Sequence, residues 1–314
     1  MSKHLFGIVV TPHGTASNNR GETEGNLTTL QKILWKGEVH TTVSAEALRW
    51  AIRYVWQEGN HPLNRTWDET SHVHTWRDPR FSGDAGDFLD DDVLGFMSAE
   101  AAKQETEATS QDAGGKRPRA RGTTTVRRAR LEVTRAISLT PWAGDVTFNA
   151  ASIGATPAAS STGRDPVPYA AEIHATRYQY GFALTPESLT QRSRALAVLD
   201  AIVNLHDVAG NHGRFLYDFA PDTIVLRWTN DFAPRMLYAF ELDQNGALSA
   251  PELMRRVEAG DVEAAELTVG GSLAGTESGS HLREFGAAVF PGIKAAAEEI
   301  AVRLRRDLGL EPAA

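Results

Sequence analysis

The sequence predicts an α/β fold in which helices cover one face of a β-sheet. Short apolar runs rich in β-branched residues alternate with stretches of helical periodicity, the pattern of a chain that interleaves strands and helices. The composition agrees, because 41% hydrophobic and 23% charged residues are ordinary values for a globular protein. At 314 residues the chain suits one large domain or two small ones.

The N-terminal part contains the clearest predicted elements. Residues 4–11 (HLFGIVVT) form a short apolar run typical of a buried strand, and residues 13–42 form a long polar connection. Residues 44–56 predict an amphipathic helix with Ser44 as its N-cap. Its apolar stripe follows the spacing i, i+3, i+4, i+7 and consists of Leu48, Ala51, Ile52 and Val55.

The middle of the chain is less regular. Residues 58–98 are predicted to form a small lobe inserted into the main fold. Residues 99–125, rich in Ala and Gly and then basic, predict a mobile loop, and residues 126–139 predict a strand. Residues 149–171 are small, polar and interrupted by proline, as expected of an extended loop or a hairpin tip.

The C-terminal half returns to regular elements. The predicted strands are residues 172–184, 223–228 and 236–242; the predicted helices are residues 190–203, with Leu196, Leu199 and Val203 facing inward, and residues 293–308. The Gly-rich residues 267–280 predict a loop, which lacks the Gly-Lys-Ser/Thr ending of a phosphate-binding P-loop.

Several classes of protein are excluded by composition. The chain has no cysteine, so disulfides, Cys-ligated zinc and a thiol nucleophile are excluded, and a cytoplasmic location is expected. No stretch approaches the roughly 20 apolar residues that cross a bilayer, and the N-terminus lacks the apolar run of a signal peptide. No membrane partner is therefore expected.

Positive charge is concentrated in one stretch of an otherwise acidic chain. The formal net charge is −8, yet eight of the twenty residues from Lys116 to Arg135 are Lys or Arg. A phosphate backbone is the commonest partner of such a cluster, although a solvated, flexible charge run is the alternative. A nucleic-acid site in this chain must be a groove or stripe, since the whole surface is not basic.

The predicted helix at residues 44–56 is the best candidate for binding an anion. Arg49 and Arg53 lie four residues apart and therefore share one face. The helix N-terminus adds free backbone amides and the Ser44 hydroxyl. Together they could hold successive phosphates; the alternative is a core helix flanked by two solvated arginines.

Candidate catalytic groups form no recognisable constellation. Residues 90–92 are three aspartates that could bind a hard metal ion, and His72 with His74 could supply two zinc ligands. Consecutive side chains do not converge on one point, and no Ser-His-Asp triad is evident. We therefore predict no catalytic residue, no metal and no cofactor.

Four segments occur in the order seen in one known family. They are Asn19-Arg20 followed by Val43-Ser44-Ala45-Glu46-Ala47-Leu48-Arg49 and Arg53; Asp91 to Met97 (DDVLGFM); Thr134 to Leu139 (TRAISL); and Gly210 to Arg214 (GNHGR) with Asp218. This order resembles the CRISPR-associated backbone subunits of type I Cascade (Cas family 7), and most closely their DevR-like, type I-B-like branch. The resemblance spans nearly the whole chain.

The resemblance implies a specific architecture. Its members have a modified RNA-recognition-motif (ferredoxin-like) palm, a helical fingers insertion and a β-hairpin thumb. Carried over, the palm comprises residues 1–57, 122–148 and 172–314 with the Gly-rich loop 267–280; the fingers insertion with its mobile basic loop comprises 58–121; the thumb comprises 149–171.

The resemblance also implies a function. Copies of such a subunit polymerise along a CRISPR RNA, each thumb displaces one guide base, and the other bases stay free to pair with target DNA. The implied partners are CRISPR RNA, target DNA through the guide, other copies of the chain, and the large, guide 5′-end-binding and guide-processing subunits. A scaffold without catalysis is implied; the alternatives are a metal-dependent ribonuclease using an aspartate among residues 90–92, as in RNA-targeting complexes, and a DevR-like regulatory protein.

The resemblance and the charge pattern together predict the guide-binding residues. Holding any guide sequence requires contacts to phosphate and sugar, made by cations, helix N-termini and backbone amides. The Gly-rich segment is included because such loops lie against RNA in this family. The predicted residues are Arg20, Lys32, Lys36, Ser44, Arg49, Arg53, Arg128, Arg130, Arg135, Asn211, Arg214, Gly270, Gly271 and Ser272.

Overall fold

The structure is a computed structural model that describes residues 2–17, 23–83, 86–98, 125–150, 152, 168–205, 208 and 217–310. The strands are β1 (His4–Val10), β2 (Gly14–Ser17), β3 (Thr23–Glu24), β4 (Leu27–Thr28), β5 (Lys32–Trp35), β6 (Glu38–Val43), β7 (Arg65–Asp68), β8 (Val73–Trp76), β9 (Phe96–Ser98), β10 (Thr125–Arg127), β11 (Leu131–Val133), β12 (Ala136–Ser138), β13 (Val146–Asn149), β14 (Tyr169–Thr176), β15 (Tyr178–Leu184), β16 (Thr223–Thr229), β17 (Glu241–Leu242), β18 (Leu248–Ser249), β19 (Leu267–Gly271) and β20 (Ala288–Phe290). The α-helices are α1 (Ala45–Glu58), α2 (Leu89–Leu94), α3 (Arg194–Val203), α4 (Pro251–Glu258), α5 (Glu277–Glu284) and α6 (Ile293–Leu308).

The largest sheet organises the molecule. Its strands follow the order β20, β19, β16, β1, β15, β12, β6, β5, and β11 also pairs with β15. The pairs are antiparallel except for β19 with β20. Its central strands and two helices follow one another along the chain as β1, α1, β12, β15, α3, β16. Interleaved strands and helices therefore build a mixed α/β fold, as predicted.

Both faces of this sheet are covered near β1, so the prediction of helices on one face only is wrong. Leu5 and Val9 pack into a core shared with α1, α3 and α6. Phe6, Ile8 and Val10 point the other way, into a second core that includes α4. All seven residues of β1 are buried, which is the pattern of a strand enclosed on two sides.

A smaller sheet extends from the end of the large one. It follows the order β13, β14, β4, β3, with β2 paired to β14. Only Arg177 separates β14 from β15, so one stretch of chain passes from the small sheet into the large one. β13 pairs antiparallel with β14, and Asn149 lies opposite Tyr169 near the two ends of the predicted thumb. The structure describes only a few of the residues from 149 to 171, at the two ends of the thumb.

Local periodicity predicted several elements correctly. The strands predicted at residues 4–11, 172–184 and 223–228 correspond to β1, β14 with β15, and β16. The helix predicted at residues 293–308 is α6, and the one predicted at residues 44–56 is α1, which continues to Glu58.

Other predicted boundaries are wrong. Residues 126–139 contain three short strands, and α3 begins at Arg194 with Ala195, Val198 and Ile202 fully buried, whereas Leu196 and Val203 are half-buried. Only residues 241–242 of the strand predicted at 236–242 are paired as a strand. The described part of the predicted helical fingers holds one hairpin, the short helix α2 and strand β9.

The Gly-rich residues 267–280 are not a loop. They form β19, a 3-10 turn at Ser272–Gly275 and the start of α5. The glycines permit close packing: a Cβ on Gly270 would lie 2.6 Å from the Ala296 Cβ of α6. At Gly271 the φ angle is +90°, and a Cβ would lie 1.9 Å from the Asp222 carbonyl oxygen. A glycine-rich composition thus reflects sheet–helix contact here.

No helix among the described residues is long and apolar enough to cross a membrane.

Candidate nucleic-acid interface

A groove of about 400 Å³ opens beside the N-terminus of α1. Its walls come from the region where β2, β6, α1 and the β7–β8 hairpin approach one another. Ser17, Thr42, Ser44, Arg65 and Tyr178 are among the side chains that line it. The sequence predicted Ser44 at this site, and the structure adds walls from parts of the chain that are distant in sequence.

The N-terminus of α1 supplies one wall of this groove. Ser44 has an extended conformation, with φ −69° and ψ 152°, and its Oγ accepts a hydrogen bond from the Ala47 amide at 3.2 Å. This is the predicted N-cap geometry. The helix dipole places partial positive charge at this end, so a phosphate in the groove would be stabilised there.

Aromatic residues form the floor of the groove. Tyr178 stacks on Phe219 with ring centroids 5.8 Å apart and meets Tyr217 edge-on at 5.4 Å. The Tyr178 and Tyr217 hydroxyls bond to Thr41 and Thr11 respectively, each at 2.8 Å. Burial raises the pKa of Tyr178 to about 12, so this hydroxyl stays neutral. The floor is therefore uncharged, and its rings are packed in the core, with exposed fractions of 1% for Tyr178, 4% for Tyr217 and 2% for Phe219.

Two arginines bring positive charge to the groove. Arg65 lines it directly, and Arg65 Nε has no hydrogen-bond partner within the described part of the chain. Arg135 is exposed and donates from Nη1 to Gln31 Oε1 at 3.2 Å and to Thr42 Oγ1 at 3.1 Å. Because Gln31 and Thr42 both line the groove, the structure brings Arg135 and Ser44 to the same site.

Lys32 is held by the small sheet. Its Nζ lies 2.5 Å from Glu172 Oε2 and 4.3 Å from the centre of the Trp142 ring. Glu172 Oε2 also accepts a hydrogen bond from the Leu30 amide at 2.7 Å. Lys32 therefore ties β5 to the base of the predicted thumb. Lys36, by contrast, forms an exposed ion pair with Glu241 at 2.6 Å.

Arg49 and Arg53 contact protein groups of the inserted lobe. Arg53 is buried, and its Nε lies 3.2 Å from Asp90 Oδ2. Burial is the main cause that lowers the pKa of Arg53 to about 10. Arg49 donates from Nη2 to the Leu94 carbonyl and is only half-buried. The prediction that both arginines hold successive phosphates is wrong for Arg53, because the lobe covers its guanidinium.

The three consecutive aspartates have separate partners. Asp90 accepts hydrogen bonds from the Asn64 and Arg65 amides at 2.8 and 3.1 Å, and Asp91 accepts one from Asn64 Nδ2 at 2.8 Å. Asp92 bonds in another direction, to Arg194 Nη1 at 2.7 Å and to the Thr190 amide at 3.0 Å. In the parts of the chain that the structure describes, no group of His, Asp or Glu is arranged to hold a metal ion.

The described residues of the basic run do not act as one patch. Arg127 pairs with buried Asp92, whereas Arg128 forms an exposed ion pair with Glu132 at 2.5 Å. Arg128 and Arg130 line a different cavity, at the start of β1. Arg135 alone of these four lies beside the groove at α1. Residues 116–124 are outside the described residues.

The predicted contacts of Gly270, Gly271 and Ser272 with RNA are not supported. Gly270 and Gly271 are buried in β19, opposite Ile224 and Thr223 of β16. Ser272 donates its amide to the Asp222 carbonyl at 3.0 Å and its hydroxyl to Asp222 Oδ2 at 2.6 Å. The Gly270 and Gly271 amides lie within a packed sheet, because the glycines serve close contact with α6, whereas Ser272 is exposed in the following 3-10 turn and its amide is taken by Asp222.

Arg20, Asn211 and Arg214 lie outside the described residues. The groove lining includes Ser17, which comes three residues before Arg20 in the sequence. It also includes Val208 and Tyr217, which lie on either side of the stretch that contains Asn211 and Arg214.

Sequence reasoning missed the aromatic floor and Arg65. Tyr178 and Tyr180 alternate in the sequence, a pattern that predicts packing on one face of a strand. Tyr217 and Phe219 also alternate, as residues 217 and 219 of a short segment. Their common role depends on contacts between β6, β15 and residues 217–219, which no local pattern records.

Comparisons with known proteins are consistent with one another. A family model described as "CRISPR-associated negative auto-regulator DevR/Csa2" matches residues 14–260. A protein of Myxococcus xanthus (strain DK1622), "CRISPR-associated protein Cas7/Cst2/DevR", is 52% identical over 312 residues, which cover 97% of this chain and 98% of that protein.

Solved structures show the same fold. A chain of a "CRISPR RNA-guided surveillance complex, pre-nicking" matches with a TM-score of 0.57 at 11% identity, covering 97% of this chain and 100% of its own length. A chain of another "CRISPR RNA-guided surveillance complex" matches with a TM-score of 0.52 at 13% identity, covering 96% of this chain and 99% of its own. At such low identity, these matches establish fold similarity alone.

Proposed function

This chain belongs to the DevR/Csa2 family of CRISPR-associated proteins, and from that premise we propose that it is a guide-RNA-binding backbone subunit of a type I surveillance complex. Copies of the chain polymerise along a CRISPR RNA and hold its phosphates and sugars. The bases remain free to pair with target DNA. The subunit performs no chemistry of its own.

The groove beside α1 carries this proposal. It combines a capped helix N-terminus, two arginines and a buried aromatic floor. Cations and helix amides contact the backbone of any sequence, and the buried aromatic floor supports the walls that carry them. Such a site suits a subunit that must accept every guide. The net charge of the whole chain, −8, disfavours unspecific RNA binding outside the groove.

The topology supports the proposed division of the chain. The order β16, β1, β15, β12 with the helices α1 and α3 matches the strand–helix–strand–strand–helix–strand plan of a ferredoxin-like palm. We assign residues 58–121 to the fingers and residues 149–171 to the thumb, which begins from the antiparallel pair β13 and β14. The thumb would reach the neighbouring copy along the guide.

The proposed partners follow from this role. They are CRISPR RNA, target DNA through the guide, further copies of the chain, and the large, guide 5′-end-binding and guide-processing subunits. A metal-dependent ribonuclease is disfavoured, because Asp90, Asp91 and Asp92 are buried and bonded to Asn64, Arg53 and Arg194. Regulation is a second candidate, because the matching family model is described as a negative auto-regulator.

Co-purification tests the proposal. The chain is produced with its own CRISPR array and partner subunits, washed at high salt, and its bound RNA is sequenced. Discrete RNA of guide length with repeat and spacer sequence is the expected result. A chain that carries no RNA, or random fragments, contradicts the guide role. Specific binding of that RNA-free chain to duplex DNA upstream of its own gene would favour the regulatory role.

A further inference from the structure

We propose that the start of β1 carries a second site for single-stranded nucleic acid, built from His4, Arg128, Arg130 and Phe232. It goes beyond the guide role, because it lies at the opposite end of the central strands from the groove at α1. Tyr178, at the groove, and Leu184, at the second site, are the first and last residues of β15. Six steps along a strand span about 20 Å.

The second site is a cavity of about 270 Å³. His4 from β1, Arg128 and Arg130 from the segment before β11, Ser188 after β15 and Phe232 after β16 line it together. The cavity is thus lined by polar side chains, two cations and one aromatic ring. The two cations belong to the part of the basic run that does not reach the groove at α1.

Two buried polar atoms at this cavity lack a partner in the described part of the chain. Among the described residues, neither His4 Nε2 nor Arg130 Nε makes a hydrogen bond. His4 is only 4% exposed, and its ring is held by a 2.7 Å hydrogen bond between Nδ1 and Thr185 Oγ1. Leaving a buried donor unsatisfied is costly, so such atoms indicate a missing ligand. An anionic oxygen would accept from Arg130 and from the Nε2–H tautomer of His4.

Phe232 indicates that the ligand carries bases as well as phosphate. It is the most exposed large hydrophobic residue among those described, at 82%. Its ring lies 4.5 Å from the His4 ring, which in turn stacks on Phe6 at 5.9 Å. A supported aromatic ring beside arginines is the arrangement that binds single strands, with bases on the ring and phosphates on the cations.

The local charges permit a phosphate at this position. Arg128 is 81% exposed, and Glu132 is the acidic side chain of the lining, 2.5 Å from Arg128 Nη2. An exposed pair of this kind is worth little, so a phosphate can replace Glu132 as the partner of Arg128. Asp231, next to Phe232, is already paired with Arg235 at 2.7 Å and therefore adds little repulsion.

The test measures binding of short single strands to the protein purified with its guide RNA. Labelled oligonucleotides of about ten nucleotides, oligo-dT and oligo-U, are titrated by fluorescence anisotropy at several salt concentrations. The variants are Phe232→Ala and the double variant Arg128→Ala with Arg130→Ala. Phe285→Ala is a matched control, because Phe285 is also exposed beside a histidine, with 5.0 Å between its ring and that of His281. Arg255→Ala is the second control, since Arg255 forms an exposed ion pair with Glu252.

Loss of the stacking contact should raise the Kd of Phe232→Ala about tenfold, given roughly 1–3 kcal/mol per stacked base. The double arginine variant should reduce the slope of log Kd against log salt by about 1.4, since each phosphate contact contributes about 0.7. Both controls should bind like the unmodified protein. Phe232→Ala removes only an exposed ring, so its fold should survive even if loss of Arg130 destabilises the chain.

The same protein preparations distinguish whether the second site binds a DNA strand or the guide RNA. If the variants keep their guide RNA and lose oligo-dT binding, the site takes a DNA strand; if they lose guide RNA, the site contacts the guide. Both outcomes support the site. Binding by Phe232→Ala and the double variant that equals that of Phe285→Ala and Arg255→Ala overturns it. If the unmodified protein purifies without guide RNA, the proposed function is contradicted. The same oligonucleotide titrations still test whether the second site binds a single strand.

Discussion

Arg53 and Asp90 form a buried ion pair, with 3.2 Å between Arg53 Nε and Asp90 Oδ2. The pair joins α1 to the inserted lobe, because Asp90 also accepts hydrogen bonds from the Asn64 and Arg65 amides. An arginine that the sequence suggests as a phosphate ligand therefore anchors the lobe that forms one wall of the groove.

Replacing Arg53 with alanine should destabilise the protein by about 3–5 kcal/mol, because the Asp90 charge is left buried without its cation. Urea unfolding measures the difference in free energy. Arg255→Ala, which removes an exposed ion-paired arginine, should cost less than about 1 kcal/mol. Equal stability of the two variants would contradict the structural role of Arg53.

Reversing the charge of Arg135 should weaken guide binding while leaving the fold intact, since Arg135 is exposed beside the groove. We expect Arg135→Glu to retain less RNA through a salt wash and to lower the salt slope by about 0.7 or more. The ratio of bound RNA to protein is the measurement. Arg255→Glu serves as the control, and equal RNA retention by both variants would remove Arg135 from the site.

Gly271→Ala should lower the melting temperature markedly. A Cβ there would lie 1.9 Å from the Asp222 carbonyl, and the φ of +90° is strained for alanine; we expect a loss of at least about 1–3 kcal/mol. Gly275→Ala is the matched control, because a Cβ at Gly275 meets no atom within 4 Å. If Gly271→Ala keeps its stability and loses RNA instead, the predicted RNA contact of Gly271 would be restored.

Ionisation of buried Asp91 should lower the free energy of unfolding as the pH rises from about 4 to about 6. Burial raises the pKa of Asp91 from 3.8 to about 6, so the folded state favours its protonated form. This contribution is fully present below the unfolded pKa and is lost as pH rises through the folded pKa. Asp91→Asn should remove that pH dependence and exceed the unmodified protein in stability above pH 6.

Asp68 provides the opposite control for this experiment. Hydrogen bonds from the Ser71 and Thr70 amides lower the pKa of Asp68, so its contribution is present above the unfolded pKa and is lost at lower pH. Asp68→Asn should therefore lower stability above the unfolded pKa, and its difference from the unmodified protein should shrink in the acid range. Identical curves for Asp91→Asn and the unmodified protein from pH 4 to 8 would contradict the assignment to Asp91.

The sequence alone determined the elements whose pattern is local. The apolar run of β1, the stripe and serine cap of α1, and the long helix α6 were predicted within a few residues of their observed bounds. Each depends on side-chain periodicity and on one capping residue, and neighbours in sequence supply both. The order of short motifs likewise indicates the family, because it is a property of the sequence alone.

Tertiary structure decided which charged and aromatic groups face a ligand. Arg49 and Arg53 share one helical face in the sequence, yet Asp90, 37 residues beyond Arg53, takes the Arg53 guanidinium. The glycines at 270 and 271 suggest a loop by composition, but they serve contact between β19 and α6.

The two proposed binding surfaces depend on the same long-range packing. Tyr178 and Phe219 meet across 41 residues of chain, and His4 meets Phe232 across 228. Periodicity describes only neighbours within a few residues, whereas burial and hydrogen bonding are satisfied between strands and lobes brought together by folding. The sequence therefore determined the helices and strands with a clear local pattern and the family, and the packing of the sheet against the inserted lobe decided which residues form the groove at α1.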